Sequence, residues 1–194
     1  KLTKGESVLL QLADTAEPSP TLAATYLALG RIKSKKSIPV LAKAIGKDFE
    51  KGRENSIISL KEIGDASANQ HLIDYLKNKN KEIQFAAADA MSALYDLKTA
   101  ESVAKLLESS DKSLFAPSSY ILGRYKHEPS RKKLEALAID KSNPDREILA
   151  ESLGWLQNKE SIPVLIDILK EKSGEGRYGA AWSLGMLNAE EAVD

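Results

Sequence analysis

Leu153-Gly154-Trp155-Leu156-Gln157-Asn158-Lys159-Glu160-Ser161-Ile162-Pro163-Val164-Leu165 has a counterpart earlier in the chain, Leu29-Gly30-Arg31-Ile32-Lys33-Ser34-Lys35-Lys36-Ser37-Ile38-Pro39-Val40-Leu41. Gly30 to Gly154 and Pro39 to Pro163 are both 124 positions, four times 31, and weaker copies fall between. A period of that length marks one supersecondary unit stacked on its own copies. The unit is legible around the first copy. Residues 4–13 carry Val8, Leu9, Leu10 and Leu12 at helical spacing, and Glu17-Pro18-Ser19-Pro20 ends the run. Ser19 is then an N-cap with proline at the first helical position, and Leu22, Ala23, Tyr26, Leu27 and Leu29 carry a second helix to Gly30.

Applied along the chain, this predicts two-helix repeats over 4–31, 36–64, 66–95, 98–124, 128–156 and 159–187, with a seventh starting at 189–194. A single unit cannot bury its apolar face alone, so stability comes from stacking neighbours. The fold class expected is an all-α right-handed α-solenoid of about six such repeats, and the unfinished seventh suggests a piece of a longer protein. Residues 30, 64, 92, 123, 154 and 185 close the second helices, spaced 34, 28, 31, 31 and 31. The uneven first intervals place an insertion around Asp48–Gly52. Glycine at these positions predicts a left-handed C-cap or a close helix approach. Ser37 and Ser161 are expected as N-caps, and Pro117 should kink its helix or delay its start.

Of 194 residues, 42% are hydrophobic, and 28 basic side chains balance 28 acidic ones. That composition excludes disorder, and zero net charge gives no global pull toward nucleic acid. The lack of cysteine excludes disulfides and thiolate chemistry. No apolar run reaches the roughly 18 residues of a spanning helix, and the start has no signal-peptide stretch, which slightly favours the cytoplasm.

Arg177-Tyr178-Gly179-Ala180-Ala181-Trp182-Ser183-Leu184-Gly185, and Arg146 through Gly154 continuing to Leu165, resemble HEAT repeats, more narrowly the HEAT-like repeats named after phycobilisome lyases. Gln84 and Phe115 depart from the arginine of that pattern. The resemblance implies that the second helix of each unit lines a concave face. One turn before each marker stand Tyr26, Lys61, Asp89, Tyr120, Glu151 and Trp182; a neighbouring column holds Phe85, Glu147 and Tyr178 beside Ala23, Ile57 and Ala116. Aromatics among carboxylates at positions four apart form one helix face and suit a protein interface. These residues are the expected site for a partner protein or peptide segment, in a non-catalytic scaffold with no cofactor.

Catalytic readings find little support. His71 and His127 are too few and too scattered for a nucleophile–base pair. His127-Glu128 is a single copy of the paired His-Glu motif of HEAT-repeat deoxyhypusine hydroxylases, which need four, and it predicts a surface turn. A bilin lyase or isomerase subunit is the alternative by resemblance. A HEAT-like DNA glycosylase fits less well, because the expected groove is acidic. The basic turns Arg31, Lys33, Lys35, Lys36 and Arg124, Lys126, Arg131, Lys132, Lys133 read as solvated charge.

Overall fold

The computed structural model describes residues 4–172 and 174–190, and every regular element among them is helical. The helices fall into two compact units, Lys1–Asp96 and Leu97–Asp194. In the first, α1 (Lys4–Thr15), α3 (Ile38–Ile45) and α5 (Asn69–Leu72, continued by a 3-10 helix Ile73–Lys77) alternate with α2 (Pro20–Arg31), α4 (Glu50–Ile63) and α6 (Lys81–Ser92). In the second, α7 (Leu97–Leu106), α9 (Arg131–Ile139) and α11 (Ile162–Leu169) alternate with α8 (Phe115–Arg124), α10 (Arg146–Leu156) and α12 (Arg177–Met186). The second helices pack in a row within each unit, α2 on α4 on α6 and α8 on α10 on α12. Residues 191–194 of the expected seventh repeat lie outside the described residues.

The cores follow the period. Leu29, Leu60 and Met91 in the first unit and Leu122, Leu153 and Leu184 in the second are buried, each 31 residues after the last. Leu41 and Leu72, and Val103, Leu134 and Leu165, do the same on the first helices. Each such side chain stabilises its unit by about 1.5–3 kcal/mol on leaving water.

The helix ends correct the expected spacing. Past the second helices, left-handed residues fall at Lys33, Gly64, Lys126, Gln157 and Asn188, every interval being 31 or twice 31. Around Lys33, the Lys33 and Ser34 amides donate to the carbonyls of Gly30 and Leu29, and the same pair recurs at Lys126 and His127. This is the Schellman closure, with the left-handed residue three positions past the glycine. Gly64 is therefore the counterpart of Lys33, and the counterpart of Gly30 is Lys61. In that register 30, 61, 92, 123, 154 and 185 are evenly 31 apart, and there is no insertion around Asp48–Gly52.

Glycine serves two purposes here. Gly64 adopts φ +69°, whereas Gly30, Gly123 and Gly154 lie inside helices where a Cβ would come within 2.6, 2.7 and 2.4 Å of Ser59, Ser152 and Ser183. We expect Lys33→Gly to stabilise its unit by about 1 kcal/mol, because a lysine at φ 52° is strained. Gly64→Ala should destabilise by a similar amount; urea midpoints read both.

Ser19 caps α2 as expected, its hydroxyl accepting from the Leu22 amide. Ser37 and Ser161 do not cap. A 3-10 turn precedes each helix, and their hydroxyls are turned inward to the Ser34 carbonyl and the Glu135 carboxylate. Asn158, three residues before Ser161, caps that turn by accepting from the Glu160 amide, and Asp65 does the same from the Ser67 amide in the second repeat, whereas Ser34 before Ser37 makes no side-chain cap. Pro117 delays its helix: α8 begins at Phe115, leaving Pro117 in the first turn, where no intrahelical N–H is needed.

Candidate functional site

The exposed side of the second helices carries stripes at i, i+4 and i+8, in register every 31 residues. In the second unit these are Ala116, which is buried, Tyr120, half-buried, and Arg124 on α8; Glu147, Glu151 and Trp155, all half-buried, on α10; and the exposed Tyr178, Trp182 and Met186 on α12. In the first unit Ile58 on α4 and Phe85 on α6 are the exposed apolar members. Tyr178 is 69% exposed and Trp182 36%. Trp155 lies between two other rings, edge-on to Tyr120 at 5.0 Å and to Trp182 at 5.5 Å.

Tyr26 and Lys61 leave the expected column. Tyr26 precedes Gly30 by four residues where its companions precede their markers by three, and one helical step turns it fully into the core. Lys61 is the marker itself, and its ammonium donates to Asp89 at 2.7 Å. Leu27 and Ile58 hold the true positions. Trp155 and Met186 stand one residue past Gly154 and Gly185, outside the two turns before each marker, and a 31-residue alignment with one more turn includes them.

Two carboxylates share α10 with Trp155. Glu147 Oε2 accepts from the Gly176 amide at 2.9 Å. Glu151 lays its Cγ over Gly179, within 3.2 Å of where a Cβ would stand. Burial, and then the neighbouring Glu147, push the Glu151 carboxyl above its ordinary range.

The arginine of the repeat pattern has a structural task. Arg146 Nε donates to the Ala138 carbonyl, and Arg177 Nε to that of Leu169, closing the end of the preceding first helix. Arg53, in register, reaches the Lys47 carbonyl. Gln84 does the same at Leu76 with its amide, so that departure keeps the contact.

Four of the nine cations in the basic turns, Lys35, Arg131, Lys132 and Lys133, form ion pairs, and the other five are exposed. Buried Arg131 donates to Glu128, Glu135 and Glu160, Lys133 to Glu108 and Lys35 to Asp65. His127, expected on the surface, is 8% exposed. Its Nδ1 meets Ser130 Oγ at 2.8 Å, and burial pushes its pKa down. It occupies the turn-cap position of Asp65 and Asn158, with Glu128 committed to Arg131 and Asn158.

A family model described as HEAT repeats matches residues 43–116 and 130–194, well over half of the chain. The chain belongs to the HEAT repeat family. Its fold class is the α-solenoid. Among solved structures, an engineered protein matches this HEAT-repeat chain with TM-score 0.50 and 16% identity, covering 96% of this chain and 98% of the other. A designed armadillo repeat protein gives TM-score 0.45 and 14% identity over 93% of this chain and 99% of its own. The complex of CpcE and CpcF of phycocyanin lyase from Nostoc gives TM-score 0.47 and 14% identity over 94% of this chain and 81% of that one. No curated protein matches the sequence. Among the described residues, no helix is long and apolar enough to cross a membrane.

Proposed function

We propose that this HEAT-repeat chain is a non-catalytic scaffold that binds an extended segment of a partner protein on the exposed faces of its second helices. The observation that carries the reading is the placement of Ile58 and Phe85 in one unit and of Tyr178, Trp182 and Met186 in the other. All are large apolar side chains left open to solvent on those faces. Exposed apolar groups rimmed by charge mark interaction sites, and aromatic side chains dominate binding energy at such surfaces. His127 and the fingerprint arginines are absorbed by turn and helix-end contacts, and neither supports a catalytic reading.

The test is selection of dodecapeptides on the wild-type protein, followed by affinity measurement on folded variants. Tyr178→Ala with Trp182→Ala should weaken peptides that bind the second unit, and Ile58→Ala with Phe85→Ala those that bind the first, at least about tenfold, the loss of one anchor residue. Ile139→Ala is the control, since Ile139 is an apolar residue 47% exposed on a first helix. It should change affinity less than about twofold. The reverse ranking would overturn the reading.

A further inference from the structure

We propose that the second unit's face recognises arginine side chains of that partner segment, the guanidinium stacking on the Tyr178–Trp182 stripe and pairing with Glu147 and Glu151. The inference rests on the reading above and specifies its chemistry.

The charges on this face are the first argument. Glu147 and Glu151 lie one turn apart on α10, and no lysine or arginine among the described residues forms an ion pair with either. The neighbouring cations are engaged elsewhere. Arg146 holds Glu171 through both terminal nitrogens, at 3.0 and 2.8 Å. Arg177, next to Tyr178 in sequence, turns to the Leu169 carbonyl. Lys141 lies 3.9 Å from Glu171. The two adjacent carboxylates repel one another, and the Glu151 carboxyl is raised first by burial and then by that repulsion. A cation from outside relieves it.

The shape of the site is the second argument. Glycine at position 179 lets the Glu151 stem lie against α12, alongside the helix that presents Tyr178 and Trp182. The Glu151 stem thus meets α12 at Gly179, next to Tyr178 in sequence, and the Glu147 carboxylate meets it at the Gly176 amide. A guanidinium is planar, weakly hydrated and able to stack on a ring while donating two bonds to a carboxylate. A lysine ammonium is a strongly hydrated point charge and gains less there. The other end of the face carries Arg124 and Lys126 around a hollow of about 410 Å³ beside Trp155, Gln157 and Met186. That end repels cations, so bound arginines are confined to the Glu147–Glu151 end.

Trp155 and Trp182 are the chain's two tryptophans, so intrinsic tryptophan fluorescence reports on this face alone. The probe is a Gly/Ser dodecapeptide carrying Arg-Leu-Arg, compared with the same peptide bearing citrulline or lysine in place of arginine. Saturable change in tryptophan fluorescence is expected with arginine. Citrulline, the uncharged near-isostere, should bind at least tenfold more weakly, and lysine at least threefold. Glu147→Gln with Glu151→Gln should lower the arginine peptide's affinity at least tenfold, its fold checked by circular dichroism. Equal binding of the citrulline peptide, or unchanged affinity in the glutamine variant, would overturn the proposal. If selected peptides without arginine alter the fluorescence and the arginine peptide does not, this inference falls and the binding surface stands. If selected peptides bind without altering it, the surface assignment for this unit falls as well.

Discussion

Gly123→Val should destabilise the second unit by about 3 kcal/mol, seen as a lowered urea midpoint. A Cβ at position 123 would stand 2.7 Å from the Ser152 carbonyl oxygen and 3.0 Å from its Cα. These are backbone atoms of the facing helix, which no rotamer change moves aside. Overpacking of this kind costs about 1–3 kcal/mol, more when backbone must shift. Part is recovered because glycine is a poor helix former, by about 1 kcal/mol. Gly185 makes the internal control. It has the same place in the repeat, yet nothing described lies within 4 Å of its would-be Cβ. Gly185→Ala should therefore be neutral or stabilise by up to about 1 kcal/mol. Equal losses at both positions would mean that close approach is not why glycine stands at the end of the second helices.

Arg146→Ala should destabilise by about 3 kcal/mol, because three contacts end together. The Ala138 carbonyl loses its donor, the Glu171 carboxylate loses a two-pronged partner, and the buried stem beyond Cβ is removed. Arg146 is 3% exposed, so water does not fully replace it. Arg146→Met, which keeps the stem, should recover a part. The effect also depends on pH. Arg146 holds the Glu171 carboxyl below its ordinary range, so this contribution is present above the unfolded carboxyl's pKa and is lost as pH falls through the lowered folded value. The gap in stability between wild type and variant should thus narrow in acid. A gap independent of pH would place the whole effect in packing and the carbonyl contact.

The repeat, the helical class and the alternation of first and second helices were legible because core residues recur every 31 positions and Ser19-Pro20 signals a helix start in local chemistry. The register of the second repeat was not. Glycine marks the helix ends in the sequence, but it answers two different needs, a left-handed backbone at Gly64 and a close approach at Gly30, Gly123 and Gly154. Reading one for the other shifted the second repeat by three residues and put Lys61 where Ile58 belongs. Tyr26 shows the same sensitivity: a single helical step separates the open face from the core. His127 looked like surface because histidine in a turn usually is. Its burial follows from the turn-cap position, which is visible only when Ser34, Asp65, His127 and Asn158 are set in one column. The aromatic cluster was half seen, since Tyr120 and Trp182 share a column while Trp155, the ring that joins them, lies one turn beyond.

The most direct test of the binding surface is photo-crosslinking to the tightest selected peptide from a benzoylphenylalanine placed at position 178, and separately at position 139. The account predicts that the peptide is captured from 178 on α12 and not from 139 on α9. Capture from 139 alone would put the partner on the first helices and contradict it.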